Sequence, residues 1–591
     1  MNTFAHDHTL PALPIPALEA TCGAIPRLVA PLVSPDVLAK TQSAVAEFAN
    51  GTGRVLHSAL LDRKAAMPGN ESWLRPFWDA MYTRWRDPLP LTLNYYLEFT
   101  PERWGGAAAL PGLIRSLAVV LRSIGTGELE PERTKAGYQA MDQAFTCVYT
   151  RVPGQADDTL VPVNLVTGRT IAVTSHGHWF TMPVFENDGS PATPAAIGAT
   201  LSAIKKVASS LPPAPPVSAF TAMPRAEAAA VRAAMGGSVQ NSLSLAALEQ
   251  SLFVVCLDPA HASPEDLALR LVAGDAASRW FDKSLQLVGT ENGGLGANFE
   301  HAGCDAGMWL YLFQKADEHM AASAGEKDVT KLLPFSLRNW ETGPEITSRL
   351  EKARTAFAGR ARGMAVACRS FPALARKELR TLDTSPDAFL QICFQAAQYH
   401  VFGRLRSSYE AVSARGFFQG RTECARGSTQ EALEFARALA GTISPPEILE
   451  LYRAAEIAHL DRLKQCQKGR GVERHISGLE AVFSLYGNDL GVEAPRLFTD
   501  EGWRTLKHDA VSTSGIGAPF IRFFGFPPVT RDGLGVGYAP GQEATGLAVT
   551  SFADGPATAG DFLESFVRAS DVLVPLLREQ KRKTASQGER V

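Results

Sequence analysis

Apolar residues recur three, four and seven apart through residues 34–65, where Val37, Leu38, Val45, Phe48 and Leu56 share one face of a predicted helix. The same spacing predicts helices over 107–123, 194–210, 223–236, 306–322, 344–366, 386–415, 427–440, 445–464 and 556–581. Strand-like runs lie between them at 142–151, 170–174, 180–184, 252–257, 284–289, 519–524 and 545–552. Helices alternating with short β-rich runs predict an α/β chain. Pro11, Pro14 and Pro16 make the entry segment extended, and Pro212 to Pro216 reads as a proline-rich connector. The chain from about Glu579 onward reads as solvated, and no internal repeat is visible.

Length changes this picture first. At 591 residues the chain exceeds what one hydrophobic core organises, so two domains of roughly 200–300 residues are expected. The 45% hydrophobic and 20% charged content fits a soluble globular protein. A net charge of −3 gives no support for nucleic-acid binding. No apolar run approaches the about 18 residues of a membrane span, and the N-terminus has neither a secretory nor a mitochondrial pattern. The last residues, Gly588-Glu589-Arg590-Val591, are not a peroxisomal address, so a cytoplasmic location is expected. The eight cysteines are scattered with no CxxC pair, which argues against a zinc site or a disulfide framework and leaves no metal expected.

Candidate chemistry begins at Phe299-Glu300-His301-Ala302-Gly303-Cys304-Asp305, just after the glycine-rich turn Asn292-Gly293-Gly294-Leu295-Gly296. An imidazole takes a proton from an alcohol or thiol near neutral pH, and a carboxylate four residues on is placed to hold its tautomer. Four further constellations accompany it. One is Arg279-Trp280-Phe281-Asp282-Lys283-Ser284-Leu285-Gln286; another is Ser385-Pro386-Asp387-Ala388-Phe389, preceded by Arg376, Lys377 and Arg380. A third joins Tyr409-Glu410, Gly420-Arg421-Thr422 and Glu473-Arg474-His475. The last holds Ser512-Thr513-Ser514, then Phe523-Phe524-Gly525 and Asp532-Gly533-Leu534-Gly535-Val536.

In this order the motifs resemble the carnitine/choline acyltransferase family, from about residue 10 to about residue 580. The resemblance implies two α/β domains of chloramphenicol-acetyltransferase type with an active-site tunnel between them. It implies a first domain from 10–63 and 90–343, a second from 64–89 and 344–580, and a flexible tail at 581–591. It also implies reversible acyl transfer between coenzyme A and the hydroxyl of a small zwitterion, without an acyl-enzyme. His301 would be the general base, Asp305 its orienting carboxylate where the family has glutamate, and Ser514 of the Ser512-Thr513-Ser514 motif the oxyanion donor. Arg474, Tyr409 and Thr422 would bind the carnitine carboxylate, Phe524 would face its trimethylammonium, and Tyr82 would stand nearby. Arg376 and Arg380 would take the coenzyme 3′-phosphate, with Asp387 near the adenosine. Acyl-CoA and carnitine are then the small-molecule partners, coenzyme A is a co-substrate rather than a bound cofactor, and a monomer is expected.

One position departs from the family. Arg522 stands where short-chain members have methionine and long-chain members glycine, and a cation there is costly without a partner. Either Arg522 turns away, the pocket takes a polar or acidic acyl chain, or an internal carboxylate neutralises it. A short or carboxylate-bearing acyl group is expected. Two rivals stay open: an acyltransferase with a different alcohol acceptor or a carrier-bound donor, and a non-catalytic acyl-CoA-binding module.

Overall fold

A computed structural model describes residues 2–105, 109–323, 330–441 and 444–588. Its chain divides into two compact units, each a mixed sheet with helices packed on it. The first comprises Met1–His8, Trp78–Met364 and Ile516–Pro527; the second comprises Thr9–Phe77, Ala365–Gly515 and Pro528–Val591. This differs from the expected division. Residues 10–63 belong to the second unit, because the helices Leu18–Val29, Pro35–Asn50 and Thr52–Ala66 pack on Glu473–Tyr486 and Glu501–Lys507. The segment 64–89 is cut after Phe77, and 344–364 stays with the first unit.

The first unit holds an eight-stranded sheet in the order Ser336–Leu337, His178–Pro183, Thr170–Ser175, Val254–Asp258, Leu285–Thr290, Leu295–Phe299, Tyr95–Phe99 and Ile521–Gly525. The strands Tyr95–Phe99 and Leu295–Phe299 are buried at every position. One face meets the helix Ala306–Ala322, where Phe299 packs on Trp309 and Phe99 on Phe313. The other face meets Pro264–Val272, which comes so close that a Cβ on Gly296 would lie 2.6 Å from the Leu271 side chain. The edge strand Ile521–Gly525 is contributed by a far-downstream segment.

The second unit holds a six-stranded sheet in the order Met364–Phe371, Thr545–Phe552, Leu534–Pro540, Val511–Gly515, Ser408–Ser413 and Thr422–Ala425. Its three middle strands, Leu534–Pro540, Val511–Gly515 and Ser408–Ser413, run parallel. Helices Pro386–Phe402 and Ala559–Gly588 cover one face, closing a core of Phe389, Phe394, Phe562 and Phe566 against Val536 and Val549. Among the described residues no helix is long and apolar enough to cross a membrane.

Several helices end earlier than their periodicity suggests, each for a local reason. The predicted helix 34–65 breaks at Gly51, and 386–415 stops at Phe402 because Gly403 turns left-handed at φ 68°. The rest of that run becomes the strand Ser408–Ser413, and the tail of 344–366 becomes the strand Met364–Phe371. The predicted strand 142–151 opens as the short helix Asp142–Thr146. Residues 107–108 of one predicted helix lie outside the described residues, and its observed part is Ala109–Gly125. The expected tail from 581 is helical to Gly588, and 589–591 also lie outside the described residues. All eight cysteines are free thiols.

Candidate active site

His301 stands on the turn between the strand Leu295–Phe299 and the helix Ala306–Ala322, with Asp305 as that helix's N-cap. The turn is pinned by the residue before the histidine. Glu300 is fully buried; its carboxylate accepts from Arg151 Nη1 at 2.9 Å, from the Ala302 amide at 3.0 Å and from the Tyr149 hydroxyl. The same Tyr149 oxygen accepts from the Gly303 amide at 2.9 Å, and a Cβ on Gly303 would lie 2.5 Å from the Tyr149 ring. Glycine is therefore required two residues after the histidine.

Arg151 carries the pinning into the core. It also donates to Asp158 at 2.7 Å and to the Tyr82 carbonyl at 2.5 Å. Asp158 in turn accepts from Arg225 Nε at 2.7 Å and from Arg86 at 2.7 Å, and Arg225 reaches Asp282 at 2.7 Å. Burial works against these charges. Even so, Arg225 and Arg151 hold the Asp158 carboxyl below its ordinary value, while burial pushes Asp282 up to about 6. Asp282 is the acid of the Trp280-Phe281-Asp282-Lys283 run, and the others are structural too. Trp280 packs edge-on to Trp179 and Phe220, and buried Lys283 donates to Thr150 Oγ1 at 3.0 Å and the Glu249 carbonyl at 2.8 Å.

Asp305 Oδ1 lies 3.8 Å from His301 Nδ1, an ion-pair contact longer than a hydrogen bond. The Asp305 carboxylate is gripped from the other side by Gln143, which donates to it at 3.1 Å and accepts from the Asp305 amide at 2.7 Å. The imidazole is enclosed by aromatic rings: Tyr82 at 5.6 Å and Tyr95 at 5.0 Å between centroids. Phe524 packs edge-on to Tyr95 at 6.0 Å, so the structure brings Tyr82 directly to His301 and Phe524 one ring away.

Arg522 falls in a β-bulge. Glu98 pairs with Phe523 and Phe99 with Ile521, which leaves Arg522 as the extra residue. Its Nη1 donates to Glu98 Oε1 at 3.2 Å. An internal acid, the third of the possibilities the sequence left open, thus stands beside Arg522, whose side chain remains 37% exposed. Burial pushes the Glu98 carboxyl up to about 7, against the pull of Arg522.

In the second unit Ser512, Thr513 and Ser514 occupy the middle of the sheet on Val511–Gly515. Thr513 donates to the Tyr409 carbonyl at 2.8 Å and accepts from Gln391 at 2.8 Å, while Ser512 and Ser514 point to the opposite face. Arg474, in the first turn of Glu473–Tyr486, brings the next set together. Its Nη2 donates to the Tyr409 hydroxyl at 2.8 Å and Thr422 Oγ1 at 3.3 Å, and its Nε to the Thr422 carbonyl at 2.9 Å. Burial opposes the charge, but Tyr409 and Glu423 keep this guanidinium protonated. Arg376 and Arg380 lie one turn apart on Arg376–Thr381, half-buried and exposed respectively. Asp387 accepts from the Tyr538 hydroxyl at 2.8 Å.

Glu300, Arg151, Asp158, Arg225, Gln143 and Glu98 were not singled out by sequence reasoning. Only Glu300 carried a signal, its place beside His301; the others come from distant segments.

The chain belongs to the choline/carnitine O-acyltransferase family, whose profile, described as Choline/Carnitine o-acyltransferase, matches residues 13–568. It is 26% identical over 604 residues to "Carnitine O-palmitoyltransferase 2, mitochondrial" of Xenopus tropicalis, covering 93% of this chain and 89% of that one. It is 27% identical over 585 residues to "Carnitine O-acetyltransferase" of Rattus norvegicus, covering 93% and 90%. A trichothecene 15-O-acetyltransferase, TRI3 from Fusarium sporotrichioides, is among the similar solved structures, with a TM-score of 0.39, 11% identity, and coverage of 84% and 93%. Membership makes the protein an O-acyltransferase that moves acyl groups between coenzyme A and a hydroxyl acceptor.

Two outcomes follow from the first unit. Arg151→Gln leaves Glu300 a buried charge without its cation, while Asp158 keeps Arg225 and Arg86, so urea unfolding should show a loss of about 3–5 kcal/mol. Glu98 holds a proton in the folded state up to about pH 7, and loses it near its ordinary 4.5 when unfolded. Its contribution is therefore full below pH 4.5 and lost as pH rises to 7. Urea titrations across that window should show a shallower decline for Glu98→Gln than for the wild type, and parallel curves would refute the assignment.

Proposed function

We propose that the acceptor is carnitine and that a short acyl group passes directly between its hydroxyl and coenzyme A. The observation that carries the acceptor is Arg474. Its Nη2 donates to both the Tyr409 and Thr422 oxygens, so those hydroxyls turn their own hydrogens away from it. A fixed guanidinium with hydroxyl groups beside it matches a carboxylate, which choline lacks. His301 takes the proton from the acceptor hydroxyl in one direction and from the coenzyme thiol in the other. Its neutral form is the competent base, and Asp305 supports the imidazolium that results. Ser514 donates to the tetrahedral oxyanion, Phe524 and Tyr82 attend the trimethylammonium, and Arg376, Arg380 and Asp387 hold the coenzyme. No permanent cofactor is part of this reading, and the enzyme works as a cytoplasmic monomer.

The acyl group is the finer question. The relatives' names span acetyl, octanoyl and palmitoyl, so similarity leaves chain length open. Arg522 supports a short chain: paired with Glu98, it keeps a polar wall where a long hydrocarbon would need an apolar one. A second reading, a different alcohol or a carrier-bound donor, draws on the same departure from the family.

The test is thiol release from acetyl-, butyryl-, succinyl-, octanoyl- and palmitoyl-CoA with L-carnitine or choline. Carnitine-dependent release, fastest with the short chains, is expected. Arg474→Gln should raise the carnitine KM by about one to two orders of magnitude, from the roughly 1.5–3 kcal/mol of a charged hydrogen bond. Arg522→Gly should extend activity toward octanoyl-CoA. Preference for succinyl-CoA would make Arg522 a carboxylate receptor instead, and coenzyme binding with no turnover for either acceptor would favour the rival readings.

A further inference from the structure

A cleft of about 990 Å³ opens in the second unit, and none of the residues proposed for acyl transfer lines it. Its walls come from three places: the extended entry with the helix Leu18–Val29, the helix Pro445–Gln467, and the turn from Gly469 into Glu473–Tyr486. Pro14, Pro16, Ala24, Leu28 and Ala458 line much of it with carbon. Ala20 and Ala24, one turn apart on the first helix, and Ala458 on the second are too small to fill the space.

Arg462 stands in this cleft, half-buried on Pro445–Gln467. Its Nη1 donates to the Arg426 carbonyl; no other side-chain hydrogen bond and no ion pair reaches it among the described residues. A guanidinium has five N–H donors, so its desolvation is compensated by the protein at only one of them. Burial pushes its pKa down, and Glu431, which also lines the cleft, pulls the other way from beyond ion-pair distance. The other charges leave Arg462 without a counter-ion. Arg426 is held by Glu473 at 2.9 Å and by Asp509, and Asp461 pairs with Lys464 at 3.3 Å. Arg27 and Arg470 are exposed on the cleft and add positive charge.

We propose that this cleft binds an organic carboxylate with an aliphatic stem, its head on Arg462 and its stem along the carbon-lined walls. A guanidinium takes a carboxylate through two parallel N–H···O bonds, and the apolar walls remove the stem from water. The volume lies at the upper end of the about 300–1,000 Å³ usual for small-molecule sites. An organic cation is repelled by Arg27, Arg462 and Arg470, and a neutral molecule leaves Arg462 unmatched. Nothing in this binding depends on the acceptor or the acyl group, so it stands or falls apart from the proposed function.

The test is calorimetric titration of the full chain with sodium octanoate, beside octylamine hydrochloride and sodium phosphate. One equivalent of octanoate should bind, and octylammonium should not. Arg462→Gln should weaken octanoate by about tenfold or more, the loss of a charged hydrogen bond. Ala24→Leu should weaken it comparably by narrowing the cleft, with circular dichroism confirming the fold of both variants. No octanoate binding to the wild type would overturn the site. Binding that both variants leave unchanged would place octanoate elsewhere and overturn it too. Phosphate binding more tightly than octanoate would show anion recognition without the stem and overturn the ligand class.

Discussion

The guanidinium of Arg151 is fully buried, and three separate pieces of the first unit are fastened directly to it. It holds Glu300, and with it the turn bearing His301; it holds the backbone of Tyr82, whose ring lies against that histidine; through Asp158 it reaches Arg225 and Asp282. A network of this kind is weak evidence for net stability, because desolvation offsets most of the attraction. What it supplies is geometry. Each charge fixes the next, so the imidazole is presented from a loop that the core dictates. The Trp280-Phe281-Asp282-Lys283 run thereby gains a physical reason. Its aromatic members pack, its lysine caps backbone and hydroxyl oxygens, and its aspartate ends the chain of charges that starts beside His301.

The second unit achieves order differently, with Arg474 anchored beside three parallel strands in the middle of a mixed sheet. Arg474 is kept protonated by Tyr409 and Glu423 and orients two hydroxyls at once. Thr513 ties the Ser512-Thr513-Ser514 strand to the backbone of Tyr409, so the residues proposed for the acceptor and the oxyanion stand on neighbouring strands of one sheet. Rigid elements of this sort hold donors in place before charge develops on the substrate, the condition under which they lower a barrier most.

Much of this was legible in the sequence where one segment decides its own structure. The helices Pro194–Ser210 and Ala306–Ala322 and the strand Thr545–Phe552 follow their patterns to the residue; the first is opened by a threonine cap and a proline. The strands Leu295–Phe299 and Leu534–Pro540 escaped because glycine and proline interrupt their alternation, and only burial within a sheet makes them strands. The place of residues 10–63 escaped for a similar reason, since amphipathic helices announce an apolar face but not the partner that covers it. At the site, residues adjacent to a motif were readable. Arg151, Gln143 and Glu98 were not, because folding alone brings them to Glu300, Asp305 and Arg522 across long stretches of chain.

The account's central claim is that His301, held by this buried network, is the base of the reaction. The most direct measurement is the turnover of His301→Ala with acetyl-CoA and L-carnitine, beside its unfolding curve and its affinity for coenzyme A. The account predicts a fall of about 10²–10⁴ in kcat with fold and coenzyme affinity unchanged. A folded variant that turns over within a few-fold of the wild type would contradict it.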